Sequence, residues 1–389
     1  MVKLFVAGGC SEHGRNSFLV SGDKITVLVD AGRMKEKPDK PFPEISPEMA
    51  KKIDYLFLTH SHTDHTGALK HLQELGFCGT LVASAATLKF LPEKYEGRTI
   101  ALKDISSPYK EVSICDGLKL TFGRAGHCVG SVWYSLELEG KTILFTGDYE
   151  ERSYAYDCDE IRGRYADLAV VDCAYGTAAE DAEAHWEALE SALDAIVPLQ
   201  KPLLFPVPSH GRGFDVMRLL AQRNVTTVLA QSLIREYQDS DNREFWLKPS
   251  FVEAMRSLKK KQIGDFRSDF ERVLQEGAMF PREHLDAAIL VRDSQLVKEE
   301  NRHIAVGVAA MGGRTILTGK QDPASFARQL LNEGKADFYR ISVHQNIDEM
   351  KRLMAKNHFK KVVPYHCREQ LSFPEEEILV LQTGDTAEV

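Results

Sequence analysis

The sequence predicts an α/β protein built from two kinds of unit: sheets layered with helices in the first third of the chain, and a parallel α/β unit beyond it. Three observations carry that expectation. The chain has 389 residues, 43% of them hydrophobic, which supplies a core and, at roughly 150 residues per domain, suggests two or three units. Short apolar runs separated by Gly and Asp turns fill the first third. From Leu168 the runs lengthen into alternating strands and amphipathic helices, the pattern of a parallel sheet.

Lys3 to Ala7, Ser17 to Val20, Ile25 to Asp30 and Tyr55 to Thr59 read as strands, each ended by turn residues. Leu118 to Phe122, Val132 to Leu138 and Thr142 to Thr146 follow as strands, while Thr66 to Leu75 and Ala85 to Phe90 carry helical spacing. The second pattern begins with strand Leu168 to Val171, helix Glu180 to Ile196, strand Leu203 to Val207, helix Phe214 to Ala221 and strand Thr226 to Leu229. Gln238 to Gly277 is charged and helical in composition, with Arg256, Lys259, Lys260, Lys261, Arg267 and Arg272; a solvated helix face is the default for such a run, and a groove for a polyanion is the second reading. Strands are expected again at Ala287 to Val291, Ile304 to Ala309, Thr315 to Leu317, Phe338 to Ser342 and Lys361 to Pro364, with helices at Ala324 to Leu331 and Ile347 to Ala355.

Composition narrows the function classes. Lys and Arg total 49 against 57 Asp and Glu, a net charge of −8, so a polyanion would have to be held by a local basic groove rather than by bulk charge. No apolar run reaches the ~18 residues of a membrane span and the N-terminus lacks a signal-peptide plan, so a cytoplasmic protein without membrane contact is expected. Seven scattered cysteines without a Cys-x-x-Cys pair point to reduced thiols.

The decisive segment is Thr59-His60-Ser61-His62-Thr63-Asp64-His65-Thr66-Gly67, directly after an apolar run. Side chains alternate in extended chain, so His60 and His62 project to one side, and Asp64 and His65, where a helix starts, can face a second position. Imidazole and carboxylate donors so concentrated at a strand end predict two metals a few ångströms apart.

His60-x-His62-x-Asp64-His65 resembles the signature of the metallo-β-lactamase superfamily. Asp30 then matches its first acidic motif, His127 in Gly126-His127-Cys128 its third motif, and Asp148 in Thr146-Gly147-Asp148 its bridging carboxylate. Val170 to Gly176, with Asp172, is similar to motif A of the β-CASP subfamily. Ser342-Val343-His344 looks like its motif B, and Val362-Val363-Pro364-Tyr365-His366 like its motif C. Phe205 to Arg212 and Thr318 to Pro323 resemble segments of that subfamily's inserted domain, and Gly8 to Asn16 resembles the opening of bacterial ribonuclease J. The chain departs from the subfamily pattern in placing Asp172-Cys173-Ala174 at motif A, Gly213-Phe214-Asp215 after Arg212, and Val343 within motif B.

The resemblance implies an αββα metallo-β-lactamase sandwich with an inserted β-CASP-like parallel α/β cap. Residues 1–176 would form the first part of the core, 177–334 the insert and 335–389 the closing part, with substrate in the cleft between units. It implies that His60, His62 and His127 hold one Zn2+ and Asp64, His65 and His366 the other, with Asp148 bridging and Mn2+ as an alternative activator. Asp30 would orient the histidines from behind, and His344, paired with Asp172, would be the general acid. His210 and Arg212, at a strand-to-helix turn, read either as phosphate contacts or as an ordinary surface turn, and Ser342 is a further candidate phosphate contact. The implied activity is phosphodiester hydrolysis, endo- or 5′-exonucleolytic, with RNA as the preferred partner and single-stranded DNA the alternative. A hydrolase of a small phosphodiester and a non-catalytic nucleic-acid-binding paralogue compete with it. No ribonuclease J-type dimerisation domain is expected after Val389, and the oligomeric state is left open.

Overall fold

The computed structural model describes residues 1–179, 182–208, 210–230, 232–234, 243–257, 260–262, 287–368 and 377–389. It divides into two compact units. The first comprises Met1–Arg152, Tyr156–Glu180 and Val343–Val389; the second comprises Ser153–Ala155 and Asp181–Ser342.

Two seven-stranded sheets build the first unit. One runs Thr386–Glu388, Lys3–Gly8, Ser17–Ser21, Thr26–Val29, Tyr55–Phe57, Thr80–Ala83, Thr99–Ala101. It starts as antiparallel pairs and turns parallel from Thr26–Val29 onward. The other runs Glu377–Ile378, Lys361–Tyr365, Leu168–Asp172, Lys141–Phe145, Val132–Leu138, Leu118–Arg124, Val112–Cys115. Its central strand Leu168–Asp172 is buried along its whole length, as a strand covered on both faces must be. The helix Ile347–Ala355 begins at a capping box in which Asn346 and Glu349 satisfy each other's backbone N–H groups. Its Met350, Leu353 and Met354 bury against Ala169, Val171 and Val362, the i, i+3, i+4 stripe that the sequence displays.

The second unit is a six-stranded sheet in the order Lys260–Gln262, Thr227–Leu229, Ala288–Arg292, Leu203–Val207, Arg314–Leu317, Ala336–Phe338, parallel at every pairing. Parallel neighbours need crossover connections, here supplied by the helices Gly213–Gln222, Glu299–Ala310 and Phe326–Asn332. Asp215, fully buried on the first of these, accepts the backbone N–H groups of Tyr154 and Ala155 at 3.0 and 2.9 Å. That carboxylate explains why Ser153–Ala155 belong to this unit.

Several expectations are corrected. Ile304 to Ala309 is not a strand but part of the helix Glu299–Ala310. Its β-branched residues suggest a strand, yet the position is a crossover, and burial of Ala305 and Val308 one turn apart overrides propensity. Phe338 to Ser342 is strand only up to Phe338; Tyr339 and Ile341 still donate to Leu317 and Thr318 before the chain leaves the sheet. The expected helix Thr66 to Leu75 is two, Thr63–Thr66 and Leu69–Glu74, separated at Gly67. The basic run is not one helix: Arg243–Trp246 and Pro249–Ser257 are helical, whereas Lys260 and Lys261 lie on an edge strand. Residues 238–242, 258–259 and 263–277, with Lys259, Arg267 and Arg272, lie outside the described residues. The unit division falls after Ser342 rather than at 334. Among the described residues no helix is long and apolar enough to cross a membrane.

Candidate metal centre

All the side chains of the centre belong to the first unit, most of them at or just after strand ends, with Asp64 and His65 in the short helix Thr63–Thr66 and His344 on an irregular stretch. Asp30 follows Thr26–Val29 and His366 follows Lys361–Tyr365, both in the left-handed region at φ 61° and 66°. Such backbone is uncommon outside glycine and concentrates at functional sites. Gly147, φ 57°, precedes Asp148; a Cβ there would lie 2.9 Å from the Val132 carbonyl, so the turn that presents Asp148 has no room for a side chain.

Three overlapping groups of donors result, with ligand atoms all within 4.8 Å of one another inside each: His60, His62, His127 and Asp148; Asp64, His65, Asp148 and His366; and Asp148, Asp172, His344 and His366. In the first, His62 Nδ1 lies 3.0 Å from His60 Nε2 and 3.1 Å from His127 Nε2. Asp148 Oδ2 lies 3.5 Å from each of the latter two nitrogens. A tetrahedral cation with bonds of about 2.0–2.1 Å has ligand–ligand edges of roughly 3.3–3.4 Å, so this donor set fits zinc. In the second, Asp148 Oδ1 lies 3.2 Å from His65 Nε2 and 3.4 Å from His366 Nδ1, and Asp64 Oδ2 is 3.4 Å from His366 Nε2. His366 Nδ1 is buried without a hydrogen-bond partner. A buried nitrogen so placed beside two carboxylates is a donor that fits a cation site.

Outer contacts set which ring nitrogen faces inward. His127 Nδ1 donates to the Val343 carbonyl at 2.6 Å, and His65 Nδ1 donates to Asp30 Oδ2 at 2.7 Å; both leave Nε2 for the centre. Asp30, buried, also accepts the backbone N–H and hydroxyl of Thr59, each at 2.8 Å. It thereby ties the start of the ligand loop to His65.

Charge is partitioned unequally. Burial pushes the His60 imidazole well below its ordinary range, helped by the charge of His65, and brings His127 down to about 4. His65 and His366 go the other way: although burial opposes it, the carboxylates around them, Asp148 foremost, hold both well above the usual histidine value. Burial likewise opposes ionisation of Asp148, but the charges of His65, His366 and His344 pull it well below the carboxylate range.

Beside this lies the pair His344–Asp172. His344 Nδ1 is 2.8 Å from Asp172 Oδ2, a carboxylate that also accepts the backbone N–H groups of Tyr149 and Ala174, both at 3.0 Å. Asp172 is wholly buried while the His344 side chain keeps 12% exposure, so the ring can exchange a proton with what lies outside. The irregular stretch that carries it is tied down by Gln345, whose side chain donates to Asp172 O and whose N–H donates to Tyr149 O.

The structure therefore gathers His60, His62, Asp64, His65, His127, Asp148, Asp172, His344 and His366, with Asp30 behind them. It leaves His210, Arg212 and Ser342 in the second unit. His210 is driven down to about 4, by burial and then by the Arg292 charge; Arg212 donates through Nε to the Ile341 carbonyl at 2.8 Å and lies against Gly319; Ser342 is half-buried. Two neighbours were given no role from sequence. Tyr365 donates its hydroxyl to Asp148 Oδ1 at 2.9 Å, and the Asn16 amide nitrogen sits 2.8 Å from His65 Nε2. Tyr365 adjoins a motif histidine, the one signal that could have flagged it; Asn16 reaches the centre from 49 residues away in sequence.

Cys128, Cys173 and Cys367, each next to a centre residue, are buried. The Cys173 thiol donates to Val171 O and contacts Met350 Sδ, which is packing rather than ligation.

The metallo-beta-lactamase superfamily profile matches residues 11–208, just over half of the chain. The RNase J-like protein of Methanocaldococcus jannaschii is 24% identical across 92% of this chain and 90% of its own length. The transcription termination factor FttA of Methanosarcina mazei is 28% identical over 57% of this chain, and the endoribonuclease YSH1 of Candida albicans 23% identical over 60%. Those two matches span only 39% and 32% of the relatives' lengths. Among solved structures, a protein of unknown function from Enterococcus faecalis superposes over 99% of both chains with a TM-score of 0.63 at 13% identity, which speaks for the fold alone. With the profile match and the motifs from His60 to His366 in one site, this chain belongs to the metallo-β-lactamase superfamily, and its ribonuclease relatives support placement in the β-CASP branch.

Proposed function

We propose that the protein is a ribonuclease that hydrolyses phosphodiester bonds at a two-metal centre, with Zn2+ in both positions and Mn2+ as an alternative. The observation that carries the reading is the sharing of Asp148 between two His/Asp donor groups, with the His344–Asp172 pair alongside. The relatives named above as RNase J-like protein and endoribonuclease support RNA as the substrate.

His60, His62 and His127 would hold one dication and Asp64, His65 and His366 the other, with Asp148 within reach of both donor groups. When bound, the two dications activate water at neutral pH and neutralise charge on the phosphoryl oxygens. The remaining work belongs to the chain. Asp30 keeps the Nδ1 proton of His65 on the outer side, and Val343 does the same for His127. Asp172 holds the Nδ1 proton of His344, so Nε2 is the atom that delivers a proton to the leaving oxygen. Arg212, permanently charged, is the phosphate contact of the second unit; His210, neutral above about pH 4, and Ser342 offer hydrogen bonds only. The protein acts in the cytoplasm on this reading.

The test is incubation of zinc- or manganese-loaded protein with 5′-phosphorylated, 5′-triphosphorylated and circular RNAs and their DNA counterparts. Cleavage of the linear or circular RNAs is expected, and cutting of circles distinguishes endonuclease from 5′-exonuclease. Turnover of bis(p-nitrophenyl) phosphate with no action on any oligomer would replace the reading by a small-phosphodiester hydrolase.

A further inference from the structure

Asn16 is completely buried, and its amide oxygen has no hydrogen-bond partner. Its amide nitrogen lies 2.8 Å from His65 Nε2, the nitrogen left facing the centre once Nδ1 is given to Asp30. The backbone around it is tightly placed: Asn16 N donates to Asp64 O at 2.9 Å and Gly32 N donates to Asn16 O at 3.0 Å. The residue is thus bonded through its main chain to the loop that carries two of the second group's donors.

A donor facing Nε2 needs the lone pair of that nitrogen, which neither a proton nor a cation there would leave free. Once a cation takes that lone pair, the amide N–H loses its acceptor while the amide oxygen still has none, and two polar groups are stranded in a dry site. Turning the amide over gives the oxygen a partner in the cation, since oxygen and nitrogen exchange places with almost no change in shape. The amide is bordered by Gly9, φ 98°, on which a Cβ would sit 2.6 Å from the amide oxygen, so only a glycine fits beside the amide in either orientation.

The geometry points to Asn16 as a fifth donor residue of the second metal position, with its amide oxygen turned toward the cation. This rests on the two-metal reading above. The two positions then differ in kind. The first offers three imidazoles and one carboxylate oxygen, a set suited to zinc. The second offers two imidazoles, two carboxylates and an amide oxygen, and additional hard oxygen donors favour ions of the Mn2+ type that take more than four ligands. Asn16 is therefore the residue that tips the second position toward Mn2+.

Protein stripped of metal and carrying one equivalent of zinc is titrated with Mn2+ or with further Zn2+, following affinity by equilibrium dialysis and the bound Mn2+ by electron paramagnetic resonance. Asn16→Ala should weaken the second-equivalent Mn2+ affinity by about tenfold or more, change that of zinc less, alter the Mn2+ spectrum and leave the first equivalent untouched. Asn16→Asp, which restores an oxygen, should recover Mn2+ binding. Mn2+ affinity within about twofold of wild type in both variants, well short of the loss expected of a ligand's removal, overturns the inference and leaves the two-metal reading standing. So does a loss of both equivalents with no change in the Mn2+-to-Zn2+ preference, which would mark Asn16 as structural. Wild-type protein that binds a single equivalent overturns both.

Discussion

Replacing Asp172 by asparagine isolates what the carboxylate behind His344 contributes. Asp172 accepts three hydrogen bonds: Tyr149 N–H and His344 Nδ1–H on Oδ2, and Ala174 N–H on Oδ1. An asparagine side chain has one acceptor oxygen, and its better orientation keeps that oxygen on Tyr149 and His344 and turns NH2 against Ala174 N–H. His344 then keeps a hydrogen bond but loses its charge assistance, about half its strength or roughly 1–1.5 kcal/mol, which is about tenfold in rate. The donor-against-donor contact at Ala174 lowers stability by about 1–3 kcal/mol. His344→Ala removes the proton donor itself and should slow the chemical step by about two to four powers of ten. Because Asp172 acts through His344, combining Asp172→Asn with His344→Ala should alter the rate of the latter by no more than about threefold. The assay is single-turnover cleavage of end-labelled single-stranded RNA at saturating enzyme. A further tenfold loss in the double variant, about the full effect of the single Asp172→Asn change, would refute the relay and move Asp172 to the second metal position, since its Oδ1 also lies 3.8 Å from His366 Nδ1.

Asp148→Ala and His62→Ala, each removing a donor from the first group, should abolish cleavage while circular dichroism stays native; retained turnover in either would exclude the two-metal mechanism. Acidification should empty the second position before the first. His65 and His366, raised, must lose protons to accept a cation, whereas His60 and His127 are shifted the other way, His127 to about 4; metal analysis after dialysis between about pH 8 and pH 5 that shows the two equivalents leaving together would contradict the assignment. Asp215 is a separate pH probe. Burial raises its folded pKa to about 6 from 3.8, so the folded state favours its proton, and its contribution to stability falls as pH rises from about 4 to 6, by up to about 3 kcal/mol. The stability difference between wild type and Asp215→Asn in urea should shift by a sizeable part of that amount over the window; a flat difference would remove Asp215 from the pH response.

The donor loop is legible because its geometry is local. Strand alternation alone aims His60 and His62 together, and the helix start at Thr63 swings Asp64 and His65 to the other side. The distant stations His127, Asp148, Asp172, His344 and His366 depend on pairing of strands far apart in sequence, such as Asp172 with Tyr365. No spacing rule predicts that pairing, and the family resemblance supplied them instead. Where the resemblance covers a residue without giving it a role, at Tyr365 and Asn16, the roles emerge only from tertiary contacts. Element type failed where propensity and topology conflict: Ile304 to Ala309 has strand-like branching in a crossover that must be helical.

The net charge of −8 looks at first unsuited to a polyanionic substrate. Yet Asp30, Asp148 and Asp172 are buried together with four histidines, and Asp64 stands at the edge of the same centre. Buried carboxylates without counter-charge are costly. In the absence of a cation the site meets that need by holding protons on His65 and His366. Two dications would replace those protons, cancel the local acidity and invert the field that an incoming phosphate meets. Attraction for the substrate is then confined to the centre and to local cations such as Arg212, so cleavage should depend on metal loading more steeply than on bulk salt. Varying NaCl at saturating metal should give a shallow slope in log KM against log salt, of about one to two released counterions; a slope several times larger would mean that an extended basic surface, and not the metal centre, holds the nucleic acid.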